Sequence, residues 1–93
     1  MQHIVVCGDS LYLDGIIEGL GNQATLVVTR VDLRHEEALS RITLLAPDAI
    51  LVETTALQGE VAFTLLRQGF PMIILDLNES QITVIKGCRT AAN

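Results

Sequence analysis

The segment that most constrains the fold is Pro47 to Thr55, with the sequence PDAILVETT. Its strand, Ala49 to Val52, is apolar at every position, which predicts burial on both faces and hence a central strand of a parallel sheet. Glu53 follows at once, and Thr55 with Gln58 has the Thr-x-x-Gln spacing of a capping box that opens a helix. An acid therefore stands where a strand passes into a helix, the edge at which open α/β sheets bind ligands.

The apolar pattern on either side of this segment predicts alternating strands and helices. The predicted strands are 3–7, 24–29, 49–52 and 70–75, and the predicted helices are 11–20, 33–45 and 56–68. Asp9 or Ser10 is placed to cap the first helix, and Asp32 is placed to cap the second. Successive strand-helix-strand units predict right-handed crossovers and a parallel sheet with helices on both faces.

The link after the fourth strand breaks this alternation. Only the six residues from Asp76 to Gln81 separate it from the apolar run 82–85, and a parallel crossover needs about a dozen. The fifth strand must therefore return antiparallel in a hairpin that turns at Asn78 to Ser80, which carries Lys86 back toward the start of the fourth strand. We expect one α/β domain over residues 1–86 and a short tail over 87–93.

Composition excludes several classes of function for these 93 residues. The formal charge is −5, and nucleic-acid binding selects for clustered Lys and Arg, which the sequence lacks. Each apolar run is far shorter than the roughly 20 residues of a membrane span, and the start of the chain lacks the features of a signal peptide, so a cytoplasmic location is expected. Cys7 and Cys88 show no metal-ligand spacing and are too few for a disulfide framework, so Cys7 is predicted to be a buried small apolar residue.

The segments HIVVCGDSLYLDGI and PDAILVETT resemble the receiver domain of two-component response regulators. In that family the first strand ends in a pair of acids that hold Mg²⁺, and the third strand, typically preceded by Pro-Asp, ends in the phosphoacceptor aspartate. The resemblance covers roughly residues 3 to 75. It implies a flavodoxin-like three-layer sandwich with strand order 2-1-3-4-5, in which this chain's own hairpin makes the fifth strand antiparallel.

The chain departs from the receiver pattern at the positions that carry its chemistry. Gly8 and Asp9 stand where the family has its two Mg²⁺-binding acids, and Glu53 stands where it has the phosphoacceptor. Asp76 replaces the switch Ser or Thr, and the hairpin moves Lys86 away from the site of the family's lysine. Phosphoryl transfer needs an in-line nucleophile, a divalent cation and a second cation. The chain therefore resembles a pseudo-receiver, and we expect a non-catalytic, phosphorylation-independent role in signalling or assembly.

The acids leave a first alternative open. Asp9, Glu53 and Asp76 are expected at one edge of the sheet, where converging oxygens suit a hard cation such as Mg²⁺ or Ca²⁺. A phosphoacceptor or magnesium-binding receiver would use this acidic site. In the structural interpretation, which requires no cofactor, Asp9 caps a helix while Glu53 and Asp76 are solvated at strand ends.

A second alternative follows from Gly8-Asp9-Ser10-Leu11, which resembles the first block of GDSL-type serine hydrolases. The serine is the nucleophile in that family, and Asp32-x-x-His35 resembles its Asp-x-x-His element. Because the first two strands should be neighbours, Ser10 and His35 are expected at the same edge. The family carries its Asp-x-x-His near the C-terminus, and its Gly-x-Asn-Asp block for the oxyanion is not found here. Otherwise Ser10 caps a helix and His35 lies on the surface.

The predicted helices are too few to cover the predicted sheet. A receiver sheet has two helices on one face and three on the other, whereas this chain supplies one and two. Apolar surface around the third, fourth and fifth strands is therefore expected to stay open, and folded monomers seldom leave several hundred Å² of contiguous apolar surface exposed. We expect this surface or the edge strand to form a symmetric homodimer or to bind a protein partner.

Overall fold

The computed structural model describes residues 2–57 and 60–86 of the chain. The strands are β1 (Gln2–Cys7), β2 (Leu26–Arg30), β3 (Ala49–Glu53), β4 (Met72–Asp76) and β5 (Gln81–Ile85). The helices are α1 (Leu11–Gly21), α2 (Ala38–Leu45) and α3 (Glu60–Arg67), with a 3₁₀ turn at Thr54–Ala56. The strands form one sheet in the order β2-β1-β3-β4-β5, in which the first four are parallel and β5 is antiparallel to β4. The predicted α/β class, strand order and C-terminal hairpin are confirmed.

Helices pack on both faces of the sheet. On one face α1 packs on a buried cluster formed by Val6, Leu13, Leu51 and Leu75. On the other face α2 and α3 pack on a larger cluster that includes Val5, Ile50, Val52, Ile42 and Leu65. Each such Val, Leu or Ile contributes about 1.5–3 kcal/mol by burial, so these two apolar layers hold the strand ends in place. Within the described residues no helix has the length and apolar character needed to cross a membrane.

The first helix begins where the sequence predicts. Ser10 is the N-cap, and its Oγ accepts a hydrogen bond from the Leu13 backbone N–H at 3.1 Å. Such a bond satisfies one of the donors that a helix leaves open at its first turn. Leu13 is fully buried, so the cap also fixes the apolar side chain that anchors α1 to the sheet.

The second and third helices begin later than predicted. The Asp32 carboxylate accepts a hydrogen bond from the Arg34 backbone N–H at 2.9 Å, and this local turn competes with the helix. Residues 33–37 therefore form turns, and α2 begins only at Ala38. The 3₁₀ turn after β3, closed by a 3.1 Å bond from Leu57 N–H to the Thr54 carbonyl, likewise delays α3. Gln58, the second residue of the predicted capping box, lies outside the described residues.

The sheet face that carries α1 is left open at β5. Ile82 pairs with Leu75 and Val84 pairs with Ile73, so both point to the same face as α1, yet they are 68% and 63% exposed. The predicted open surface is thus found on β5 and the adjoining part of β4. The prediction of an open surface is wrong for β3, because Leu51 is only 6% exposed.

Candidate functional site

A cleft of about 760 Å³ opens between the carboxyl ends of the strands and the helices α2 and α3. Its wall consists of Gly8 and Asp9 after β1, residues 30–35 at the end of β2, Arg41 of α2, Thr55 and Ala56 of the 3₁₀ turn, and Val61 of α3. In the sheet, β1 lies between β2 on one side and β3 on the other, so the strand order reverses direction at β1. The cleft therefore lies at the switch point of the strand order, where open α/β sheets bind ligands.

Arg30 fixes the loop between β1 and α1. Its Nε and Nη2 donate to the Gly8 carbonyl at 2.9 and 2.6 Å, and its Nη1 donates to the Asp14 carboxylate. The guanidinium thus joins the end of β2 to the first turn of α1. These contacts are partly exposed, so their main effect is to hold one wall of the cleft in a defined position.

Asp32 and Arg34 form a second ion pair in the wall. Arg34 Nη2 donates to Asp32 Oδ2 at 2.8 Å and its Nε donates to Oδ1 at 3.0 Å. This hydrogen-bonded pairing lowers the pKa of Asp32 well below its usual range and raises the pKa of Arg34. Asp9, which is exposed, also favours the charged form of Arg34. Both partners of the pair are in contact with solvent, so the pair contributes little to the stability of the fold. Its main effect is to orient the guanidinium group of Arg34.

Glu53 is buried beneath the first turn of α1. It is only 4% exposed, and its Oε1 accepts a hydrogen bond from the Ser10 backbone N–H at 3.2 Å. The positive end of the helix dipole favours a carboxylate at this position. A Cβ on Gly8 would lie 2.9 Å from Glu53 Cδ and 2.7 Å from Leu13 Cδ2, so the glycine supplies the space that the carboxylate occupies. The predicted solvated position of Glu53 is therefore wrong.

Lys86 is remote from Glu53. Glu53 pairs with Leu75 near the end of β4, whereas Ile85 pairs with Met72 at its start. At about 3.3 Å per residue, Lys86 is displaced from Glu53 by about 13 Å along the strands, in addition to two strand spacings across them. The hairpin therefore places the lysine near the opposite edge, as the sequence predicts.

The other two predicted acids have separate surroundings. Asp9 is exposed and lines the cleft. The Asp76 Oδ1 accepts hydrogen bonds from the backbone N–H groups of Asn78 and Glu79, both at 3.1 Å, which fixes the turn between β4 and β5. In the described ranges 2–57 and 60–86, no three His, Cys, Asp or Glu residues form a group that could hold a metal ion.

The residues of the hydrolase alternative are partly brought together. Asp32 and His35 both line the cleft, and His35 Nε2 lies 3.9 Å from Asp32 Oδ2. Ser10 is not part of the cleft wall, and its hydroxyl oxygen accepts the capping bond from α1. A serine nucleophile needs its hydroxyl directed at a base, and here Ser10 serves the helix.

Cys7 is buried at the end of β1, as predicted. Burial, with a smaller contribution from the Asp32 carboxylate, raises the pKa of its thiol to about 12. At neutral pH this thiol is protonated, whereas the thiolate is the form that acts as a nucleophile. Cys88 and the remainder of the predicted tail lie outside the described residues.

The arginines of the cleft are the functional candidates that the sequence analysis missed. Arg30, Arg34 and Arg41 are three of the six basic residues of the chain. The prediction that basic residues are unclustered is therefore wrong at this place. All three fall within twelve consecutive residues that begin at the end of a predicted strand, and that position at the carboxyl edge was the available signal.

Comparison with models of protein families, with curated proteins and with solved structures gives no match. The region around Glu53 is filled by structural contacts, whereas the cleft lined by the arginines is open and charged.

Proposed function

We propose that the chain is a non-catalytic, receiver-like domain of flavodoxin-like topology that acts through protein contacts and self-associates through β5. The single observation that carries this proposal is the β5 strip, which we define as Ile73, Ile82 and Val84. Ile82 and Val84, the two residues of the strip on β5, are each well over half exposed. The same face of the sheet is buried under α1 elsewhere. Apolar surface of this kind marks contact sites.

A second copy of the chain is the occupant that the strip favours. β5 is an edge strand of the described sheet, and an edge strand pairs with its own copy across a two-fold axis through backbone hydrogen bonds. The sequence of β5, QITVI, carries no charge in a chain of net charge −5, so pairing through this strand brings no charged strand residues of the two copies together. A standard interface buries about 800 Å² per partner, so surface beside the strand must contribute as well.

The surroundings of Glu53 support a role that does not depend on phosphorylation. Its carboxylate is buried and accepts a bond from Ser10 N–H, and Lys86 is too far away to neutralise charge that develops on a phosphoryl group. The hydrogen bonds that Asp76 accepts from its own turn likewise give this acid a structural use.

Light scattering coupled to size-exclusion chromatography tests the self-association. We expect the full chain at micromolar concentration to have twice the 10.1 kDa mass of the monomer. Val84→Glu should return it to the monomer, because a charge would then face its own copy near the two-fold axis. Val27→Glu is the matched control, since Val27 is 41% exposed on β2, the opposite edge strand. A monomeric wild type, or equal loss of mass in both variants, would contradict the proposal.

Incubation with acetyl phosphate and Mg²⁺, followed by intact-mass spectrometry, tests the independence from phosphorylation. We expect no added phosphoryl group. Incorporation that is lost in Glu53→Gln but kept in Glu18→Gln, a variant of an exposed acid on α1, would instead support the phosphoacceptor alternative.

A further inference from the structure

We propose that the cleft at the carboxyl ends of β1 and β2 binds the phosphate group of a small organic molecule through Arg34 and Arg41. This inference is independent of self-association, because α2 and α3 lie on the opposite sheet face from α1 and the β5 strip.

The charge of the cleft is the first observation behind this proposal. Its wall contains three arginines and two aspartates, and Arg30 is also paired with Asp14, so with His35 neutral the charges at the site balance. The whole chain carries −5. Half of its basic residues therefore lie around one concave site of a strongly acidic chain, which makes this cleft the favoured place for an anion to approach.

The arginine geometry is the second observation. Asp32 binds Arg34 through Nε and Nη2, which leaves Nη1 without a hydrogen bond to any described residue and holds the guanidinium in one orientation. Arg41 extends from α2, and its guanidinium forms neither a hydrogen bond nor an ion pair with the residues described. Guanidinium groups match the oxygens of a phosphate in paired hydrogen bonds. One oriented and one unengaged arginine therefore line the same cleft, where both are available to an anion.

The size and lining of the cleft define the rest of the ligand. Its volume of about 760 Å³ lies within the range of about 300–1,000 Å³ typical of small-molecule sites, and it is larger than a phosphate ion needs. Val31, Leu33, Ala56 and Val61 supply apolar wall. A phosphate monoester with an apolar or ring-shaped body fits both the arginines and the apolar part of the wall. It is favoured over a carboxylate because it carries about −1.5 to −2 charges and three acceptor oxygens.

An NMR titration of the ¹⁵N-labelled full chain with phenyl phosphate tests the site. We expect saturable shifts of the amide signals of Arg34, His35 and Arg41. Arg41→Gln should weaken binding about tenfold or more, which is the loss of one charge-assisted hydrogen bond. Arg67→Gln is the matched control, because it removes the same charge from an exposed position in the last turn of α3, outside the cleft wall. Benzoate should bind more weakly than phenyl phosphate.

Three results would overturn the proposal. The first is the absence of saturable shifts at millimolar phenyl phosphate. The second is equal weakening in Arg41→Gln and Arg67→Gln, which would show that the net charge of the chain and not the cleft attracts the anion. The third is tighter binding of benzoate than of phenyl phosphate. Both variants alter exposed side chains, so without ligand their NMR spectra should match that of the wild type away from the substituted residue. This match would show that the fold is kept.

Discussion

Replacement of Gly8 by alanine tests how Glu53 is accommodated in the core. Gly8 has φ +145°, a conformation that residues with a side chain rarely adopt. A Cβ there would also lie 2.7 Å from Leu13 Cδ2 and 2.9 Å from Glu53 Cδ. Both distances are too short for non-bonded carbon atoms, so either the backbone or the two side chains must move.

The expected cost has two parts. The unfavourable backbone conformation costs about 1–3 kcal/mol, and overpacking of a filled site costs about 1–3 kcal/mol more. Gly8→Ala should therefore lower the free energy of unfolding by about 2–6 kcal/mol, which is a large share of the about 5–15 kcal/mol that stabilises a typical domain. The contact with Glu53 predicts coupling, so adding Glu53→Ala should recover at least about 1 kcal/mol relative to the sum of the single losses.

Urea unfolding followed by circular dichroism measures these differences. With a slope of about 1.5 kcal/mol/M, a loss of 3 kcal/mol lowers the midpoint by about 2 M. Gly15→Ala in α1 is the control, since a Cβ there meets nothing within 4 Å, and it should stabilise the helix by up to about 1 kcal/mol. If Gly8→Ala were as stable as the wild type, or if its loss simply added to that of Glu53→Ala, the close packing of the carboxylate over Gly8 would be refuted.

Two further predictions concern side chains at the start of α1 and the end of β1. Ser10→Ala should lower the free energy of unfolding by about 1 kcal/mol through loss of the cap. Its rate of p-nitrophenyl acetate hydrolysis should equal that of the wild type. A rate that falls selectively in this variant would instead support the hydrolase alternative. In a Cys88→Ser background, Cys7 should stay unlabelled by a thiol reagent at pH 8, because a thiol whose pKa is about 12 is roughly 10⁻⁴ ionised there. Rapid labelling of the folded protein would show that this thiol is accessible.

Most of the sheet could be predicted from the sequence because its signals are local and strong. The apolar run 49–52 identified the central strand, and the six residues between Leu75 and Ile82 left only a hairpin as the connection. The starts of α2 and α3 were placed too early. For α2, Asp32 is a suitable cap residue for a helix that begins at residue 33, but its side chain instead forms a turn with the Arg34 backbone.

The site was harder to predict because it depends on contacts between distant residues. Burial of Glu53 requires Gly8 and Ser10, which are more than forty positions away in the sequence but adjacent across the paired strands. Helical or strand periodicity cannot show which acid will find a backbone donor and which will stay in water. The cleft likewise joins the end of β2 to Arg41 on the next helix, a proximity that only the fold creates.

The concentration dependence of amide hydrogen exchange in β5 tests the proposed self-association most directly. Edge-to-edge pairing would place the outward N–H groups of Gln81–Ile85 in hydrogen bonds with a second copy, so their exchange should slow as the protein is concentrated. The amides of β2, the opposite edge strand, should keep their rates. Rates in β5 that stay constant across the range in which the measured mass doubles, or slowing confined to β2, would contradict association through this strand.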